Sequence, residues 1–224
     1  GAPVTGPAPG PAPLALTLQD VLDLRAYERV REEFRARVMA RKRRRRVSLG
    51  PIMTAVFECA DTVRFQIQEM ARVERILTDE GIQGELDVYN RLLPAPGELS
   101  ATLFIELTSE EDLRHWLPRL VGVERSLAFE LAPSGGEPAG SGATVVPSVP
   151  EATHAEALTR EEVTPAVHYL RFPFTEAEVA RFAAGPVALA VRHPAYEART
   201  ELDEETRQEL LDDLRGRTER LPLA

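Results

Sequence analysis

Apolar and polar positions along the chain follow two periods, one helical and one extended. Tyr27, Val30, Phe34 and Val38 recur at three-to-four spacing and mark one face of a long helix. A short helix over 18–24 precedes it, because Thr17 and Asp20 have the spacing of a hydroxyl cap and its returning acid. "RVSLGP" reads as extended, with Gly50-Pro51 as punctuation, and "TAVFECA" as a strand with Ala55, Phe57 and Cys59 on one face. "TVRFQIQEMARVERIL", residues 62–77, is an amphipathic helix: at 100° per residue Val63, Ile67, Met70, Val73 and Leu77 fall on one side. A weaker helix over 81–92 carries Ile82, Leu86, Tyr89 and Leu93 and is ended by Pro94 and Pro96.

The pattern then repeats. "ATLFIEL", "TSEEDLRHWLPRLVG" and "RSLAFEL" read strand–helix–strand, as do "VHYLRFPF", "TEAEVARFAAG" and "PVALAVRH". Both helices open with a capping box (Ser109 with Asp112, Thr175 with Glu178), hold an aromatic mid-helix (Trp116, Phe182) and end at a glycine (Gly122, Gly185). This is either a duplicated unit or two separate solutions to one packing problem. A carboxylate-rich helix from about Asp203 to Arg215 closes the pattern. The expected fold is α+β or α/β, with a central mixed sheet flanked by helices and a strand–helix–strand unit recurring in the C-terminal half. The expected organisation is a disordered or extended Pro/Gly/Ala-rich tail over 1–16, a main domain over 17–132, a flexible connector over 133–163 and a unit over 164–224 that packs on or extends the main sheet.

Composition narrows the chemistry. The chain has 224 residues, 43% of them hydrophobic and 28% charged, enough for a sizeable core. Its longest apolar run, 186–191, is far too short to span a membrane, and the N-terminus has no signal-peptide pattern, so a cytoplasmic protein is expected. Cys59 is the only cysteine, so the thiolates of an iron–sulfur cluster or structural zinc are missing. The net charge of −9 argues against general nucleic-acid binding, yet Arg35, Arg37, Arg41, Lys42, Arg43, Arg44, Arg45 and Arg46 are crowded together. Without interleaved aromatics, that run reads as a helix end, as ion pairs within the fold, or as a docking patch formed by Arg41 to Arg46.

Two polar residues fall within the apolar arc of the 62–77 helix. Gln66 and Glu74 flank Met70 at i−4 and i+4. Burying an unpaired carboxylate is costly, so Glu74 needs a partner, with Arg37, Arg41 or Arg43 as candidates. The other reading makes Gln66, Glu69, Arg72, Glu74 and Glu85 the wall of a ligand pocket closed by Tyr89 and Asn90. Neither helix carries the histidines of a di-metal carboxylate site, and Asp112-x-x-His115 is a single unmatched instance. His168 and His193 begin and end their strands, and share a metal only if those strands are antiparallel neighbours. No nucleophile elbow, P-loop, dinucleotide fingerprint or HExxH occurs, so no catalytic residue, metal or cofactor is assigned.

"RRRRVSLGP", "FECADTVRFQIQEMARVERI", "GELDVYNRLLP", "ELSATLFIEL", "VHYLRFPF" and "HPAYEARTEL" together resemble an uncharacterised bacterial family known only as a domain of unknown function. The resemblance covers roughly residues 17–215. It implies company: such proteins are often encoded beside rubrerythrin-like proteins and an iron–sulfur, glycolate-oxidase-type oxidoreductase. The expected role is then a non-catalytic accessory, adaptor or assembly protein of a cytoplasmic redox or peroxide-defence system. The alternatives are a small-molecule-binding protein or enzyme with a pocket around Gln66, Glu69 and Glu74, and nucleic-acid binding through Arg35–Arg46. The oligomeric state stays open, a homo-oligomer included.

Overall fold

The structure is a computed structural model that describes residues 15–133, 142–153 and 163–223. The tail over 1–14 and the stretches 134–141 and 154–162 of the expected connector lie outside the described residues.

The N-terminal helices form where their caps place them. Thr17 N–H donates to the Asp20 carboxylate at 2.7 Å, but the turn it opens is a single 3₁₀ turn, Leu18–Asp20. Helix α1, Leu24–Arg44, starts instead from Asp23, whose carboxylate accepts from Ala26 N–H at 2.8 Å. After the antiparallel strands β1 (Arg46–Leu49) and β2 (Met53–Phe57) come α2 (Ala60–Glu74) and α3 (Asp79–Tyr89). The repeated units follow as β3 (Glu98–Ile105), α4 (Glu110–Trp116) and β4 (Leu127–Leu131), then β7 (Val167–Pro173), α5 (Glu176–Ala184) and β8 (Val187–His193). Between them lie β5 (Thr144–Pro147) and β6 (Val149–Pro150), and after them β9 (Tyr196–Glu201) and α6 (Glu204–Leu214).

The α+β class holds, but the single mixed sheet does not. The described residues form two sheets, ordered β1-β2-β3-β7-β6 and β5-β4-β8-β9, and every pairing among them is antiparallel. Each strand–helix–strand unit starts in the first sheet and ends in the second. Because β3 pairs with β7 and β4 with β8, both antiparallel, the two units are related by an approximate twofold. Their connecting helices therefore cross at opposite ends. Trp116, Leu120 and Val123 reach the core at one end, and Phe182 with Leu210 and Leu214 of α6 at the other. The sequence could not separate this from parallel βαβ units, because the pattern of elements is the same and only the partner strand differs.

The 133–163 segment also departs from expectation. Its β5 and β6 are one short stretch of chain whose halves pair with β4 and β7, joining the two sheets along one seam. Along the other seam β9 lies against β1, with Thr200 Oγ1 donating to Ser48 C=O and Tyr196 Oη to Leu49 C=O, each at 2.5 Å. The result is a flattened, nearly closed barrel. Its interior is one apolar core centred on Phe57, Phe129, Phe172 and Phe182, with Phe129 and Phe172 edge-to-face at 4.8 Å. The outer face of the first sheet is covered by α2, which with α3 forms a second cluster around Val63, Ile67 and Leu86. Helix α1 packs on α2 through Tyr27, Phe34 and Val38, joined by Leu221 and Leu223 of the C-terminal segment.

Candidate functional site

Helix α2 carries most of the residues singled out in the sequence, and its sides face different neighbours. The first side holds the buried polar groups. These are Asp61 and Gln68, not Gln66 and Glu74. Gln68 Oε1 accepts from Leu22 N–H at 2.7 Å, and its amide nitrogen donates to Leu22 C=O at 3.1 Å. Asp61 receives Arg41, Arg64 Nη2 at 3.2 Å and the backbone N–H of Leu221 at 3.0 Å. Asp61, Arg64 and Gln68 are themselves a helical stripe, and this second, polar stripe was the missed signal. It is buried because α1 and the C-terminal segment lie over it.

Glu69 and Arg72 also face α1. Glu69 is held by Arg31 Nη2 at 2.7 Å and by the Tyr27 hydroxyl at 2.9 Å. The Arg31 hydrogen bonds hold the Glu69 carboxyl below the usual carboxylate range, against the opposing effect of burial. Burial, with Glu69 beside it, pushes the Tyr27 hydroxyl up. Arg72 pairs with Glu28. Both residues thus tie two helices together.

A different side of α2 faces the first sheet. The buried Glu58 carboxylate there receives the hydroxyls of Thr62 and, at 2.8 Å, of Thr102. Cys59, the N-cap of α2, is buried beside Arg45. Burial raises its thiol more than the guanidinium lowers it, so it is not an activated nucleophile.

The remaining side looks to α3 and outward. Gln66 is exposed and lies beside the Tyr89 hydroxyl. Burial raises the Tyr89 hydroxyl, with Glu85 and Tyr169 adding to the shift. Burial likewise raises the Glu85 carboxyl, with Glu74 adding to it. Gln66, Glu74, Glu85 and Tyr89 lie near one another where α2 meets α3, joined by Tyr169, which no pattern in the sequence marked. Asn90 acts elsewhere, its amide accepting from Leu16 N–H and donating to Leu16 C=O, both at 2.9 Å. Leu16, expected in the tail, is accordingly packed inside.

Glu74 is exposed, so it does not need the arginine that a buried carboxylate would, and it pairs with no arginine among the described residues. The buried arc of α2 runs through Val63, Arg64, Ile67, Gln68 and Ala71, and the last turn overhangs the sheet. Val73 and Leu77, expected in the apolar face, are 75% and 80% exposed. With Val88 of α3 at 54%, they are the three most exposed large apolar side chains among the described residues.

The basic run divides. Arg45 is fully buried and bidentate to Asp213, with Nη1 to Oδ2 at 2.8 Å. Arg41 pairs with Asp61 and Glu209, and Arg44 with Glu209 at 3.5 Å. Lys42 stands 5.9 Å over the Phe65 ring. Arg43 and Arg46 are left on the surface. The two histidines lie in different sheets, so the antiparallel meeting does not arise. His168 sits 3.0 Å from Thr164 Oγ1 through Nε2, and His193 accepts Ala195 N–H on Nδ1 and meets Val121 C=O through Nε2. Among the described residues no group of three or more His, Cys, Asp or Glu is placed to hold a metal ion. No helix among them is long and apolar enough to cross a membrane.

The fold defines an α+β protein built on a flattened antiparallel barrel with a helical layer on one face. A family model described as "Protein of unknown function (DUF3501)" matches residues 15–214, and the chain belongs to that family. A solved structure described as a novel protein of unknown function from Burkholderia pseudomallei K96243 is similar to it. The two share 36% identity at a TM-score of 0.79, over 90% of this chain and 100% of the other. Among curated proteins nothing matches.

Proposed function

We propose that this protein is a non-catalytic accessory or adaptor of a cytoplasmic redox or peroxide-defence system, acting with rubrerythrin-like and iron–sulfur oxidoreductase partners. The observation that carries the adaptor part is where exposure falls. The buried Asp61, Gln68 and Asp213 find hydrogen-bond partners within the fold and Arg45 is ion-paired with Asp213, while the most exposed apolar residues gather on one helical hairpin. Large exposed apolar patches mark interaction surfaces, and Val73, Leu77 and Val88 put exposed hydrocarbon on this hairpin. The partner class comes from the family resemblance and its genetic company. Arg43 and Arg46, the surface remnant of the basic run, supply a secondary contact for an acidic partner.

The test is co-purification of the tagged protein at native expression level, with identification of bound proteins and metal analysis of the eluate. A rubrerythrin-like or iron–sulfur oxidoreductase protein retained at stoichiometric amounts is the expected result. Recovery of the protein alone, under conditions where those partners are expressed, overturns the reading.

A further inference from the structure

We propose that the α2–α3 hairpin docks a basic amphipathic helix of another protein, its apolar face set on Leu77, Val73 and Val88 with close backbone approach at Gly84. The inference rests on the adaptor reading only in needing a protein partner.

Three independent observations meet at this hairpin. The first is the exposed hydrocarbon of Val73, Leu77 and Val88. Leu77 immediately precedes the Thr78 N-cap of α3, the position from which an apolar residue ordinarily folds back onto the fourth helical residue, here Ile82. At 80% exposure Leu77 instead points its hydrocarbon at water.

The second is the pair of glycines inside α3. A glycine in a helix interior is less favourable than alanine by about 1 kcal/mol. Gly81 has an internal reason, because a Cβ there would collide with the Ile76 side chain. Gly84 has none: a Cβ there meets nothing within 4 Å. Gly84 and Val88 are one turn apart and share an exposed face. A bare backbone beside an apolar anchor suits close approach of a second helix.

The third is charge. Residues 73–88 hold the acids Glu74, Asp79, Glu80, Glu85 and Asp87 and one base, Arg75. None of the five acids forms an ion pair with a described residue. Two copies of this hairpin brought face to face would oppose acid to acid, so a second copy is disfavoured. A helix with lysine or arginine flanking its apolar stripe satisfies both the centre and the rim.

The probe is a synthetic peptide of about 18 residues, long enough for five turns, with leucine at i, i+3, i+4 and i+7 and lysine elsewhere. Binding is read by fluorescence anisotropy at physiological salt and by amide chemical shifts of the whole chain. The expected result is saturable binding with shifts confined to residues 73–88. Leu77→Ser and Gly84→Gln should each weaken it by about tenfold. Gly84→Gln keeps the charge and favours the helix, so its loss cannot come from unfolding. The proposal is overturned if a scrambled peptide of the same composition binds as well, if the shifts map elsewhere, if both variants bind like the parent, or if sedimentation shows this face closed by a second copy. Co-purification that survives both variants sinks this surface and leaves the adaptor reading standing. Peptide binding at the hairpin without any redox partner in the eluate does the reverse.

Discussion

Single residues decide which charges belong to the fold. Arg45 is the fifth residue of the run "RKRRRR" and looks in sequence like one more exposed cation, but its guanidinium is fully buried against Asp213. Removing one partner of such a pair leaves an uncompensated buried charge. Asp213→Ala should therefore destabilise the protein by about 3–5 kcal/mol in denaturant unfolding, and Arg45→Met combined with Asp213→Leu should recover much of the loss. Glu69 makes a pH prediction. Its carboxyl is held below the ordinary value of 4.5, chiefly by Arg31, so the folded state binds its proton less tightly than the unfolded state does. The stabilisation is therefore complete above that value and is lost as pH falls through the depressed folded value. Glu69→Gln should be less stable than the parent at neutral pH, and the difference should close on acidification. A constant difference from neutral pH down to pH of about 2 would refute the assignment.

At the scale of elements, the hairpin β1–β2 shows how a turn is tied to a distant strand. Gly50 has φ +69°, in the left-handed region, and the Cβ of an alanine there would run into the Tyr196 hydroxyl at the start of β9. Tyr196 is the residue that donates to Leu49 C=O across the β1–β9 seam. Gly50→Ala should cost about 1–3 kcal/mol from backbone strain alone, and the push on Tyr196 should loosen the seam. Faster hydrogen exchange at β1 and β9, with β3 and β7 unchanged, is the expected signature. Helix α2 teaches the complementary point. An amphipathic helix is buried only as far as its neighbours extend, so its last turn can carry valine and leucine into solvent.

For the whole molecule, the C-terminal segment after α6 is a fastener rather than a trailing end. Thr218 donates to Asp213 at 2.5 Å, Leu221 N–H to Asp61, Arg41 reaches Glu219 C=O at 2.7 Å, and Leu221 and Leu223 pack on α1. Truncation after Arg217 should uncover the Asp61–Arg64 stripe and free α1 while leaving the barrel assembled. The expected outcome is a marked loss of stability and protease sensitivity within α1, with the β-sheet circular dichroism retained. An undisturbed α1 in the truncated protein would show that the α1–α2 contacts suffice by themselves.

The sequence by itself determined the local periods, the caps and most element boundaries, because these depend on neighbours within a few residues. Ser109 and Thr175 each cap the helix their spacing announces. It also determined the resemblance to a family of unknown function and the repetition of strand, helix and strand. Only the tertiary structure decided that the repeats cross between two antiparallel sheets, since strand pairing joins residues far apart in the chain: Ala101 meets Leu170, and Leu127 meets Val191. It alone decided that Gln68 and Asp61 lie inside while Gln66, Glu74, Val73 and Leu77 face out. Helical periodicity fixes which residues share a face, but a face becomes interior only where another element arrives to cover it.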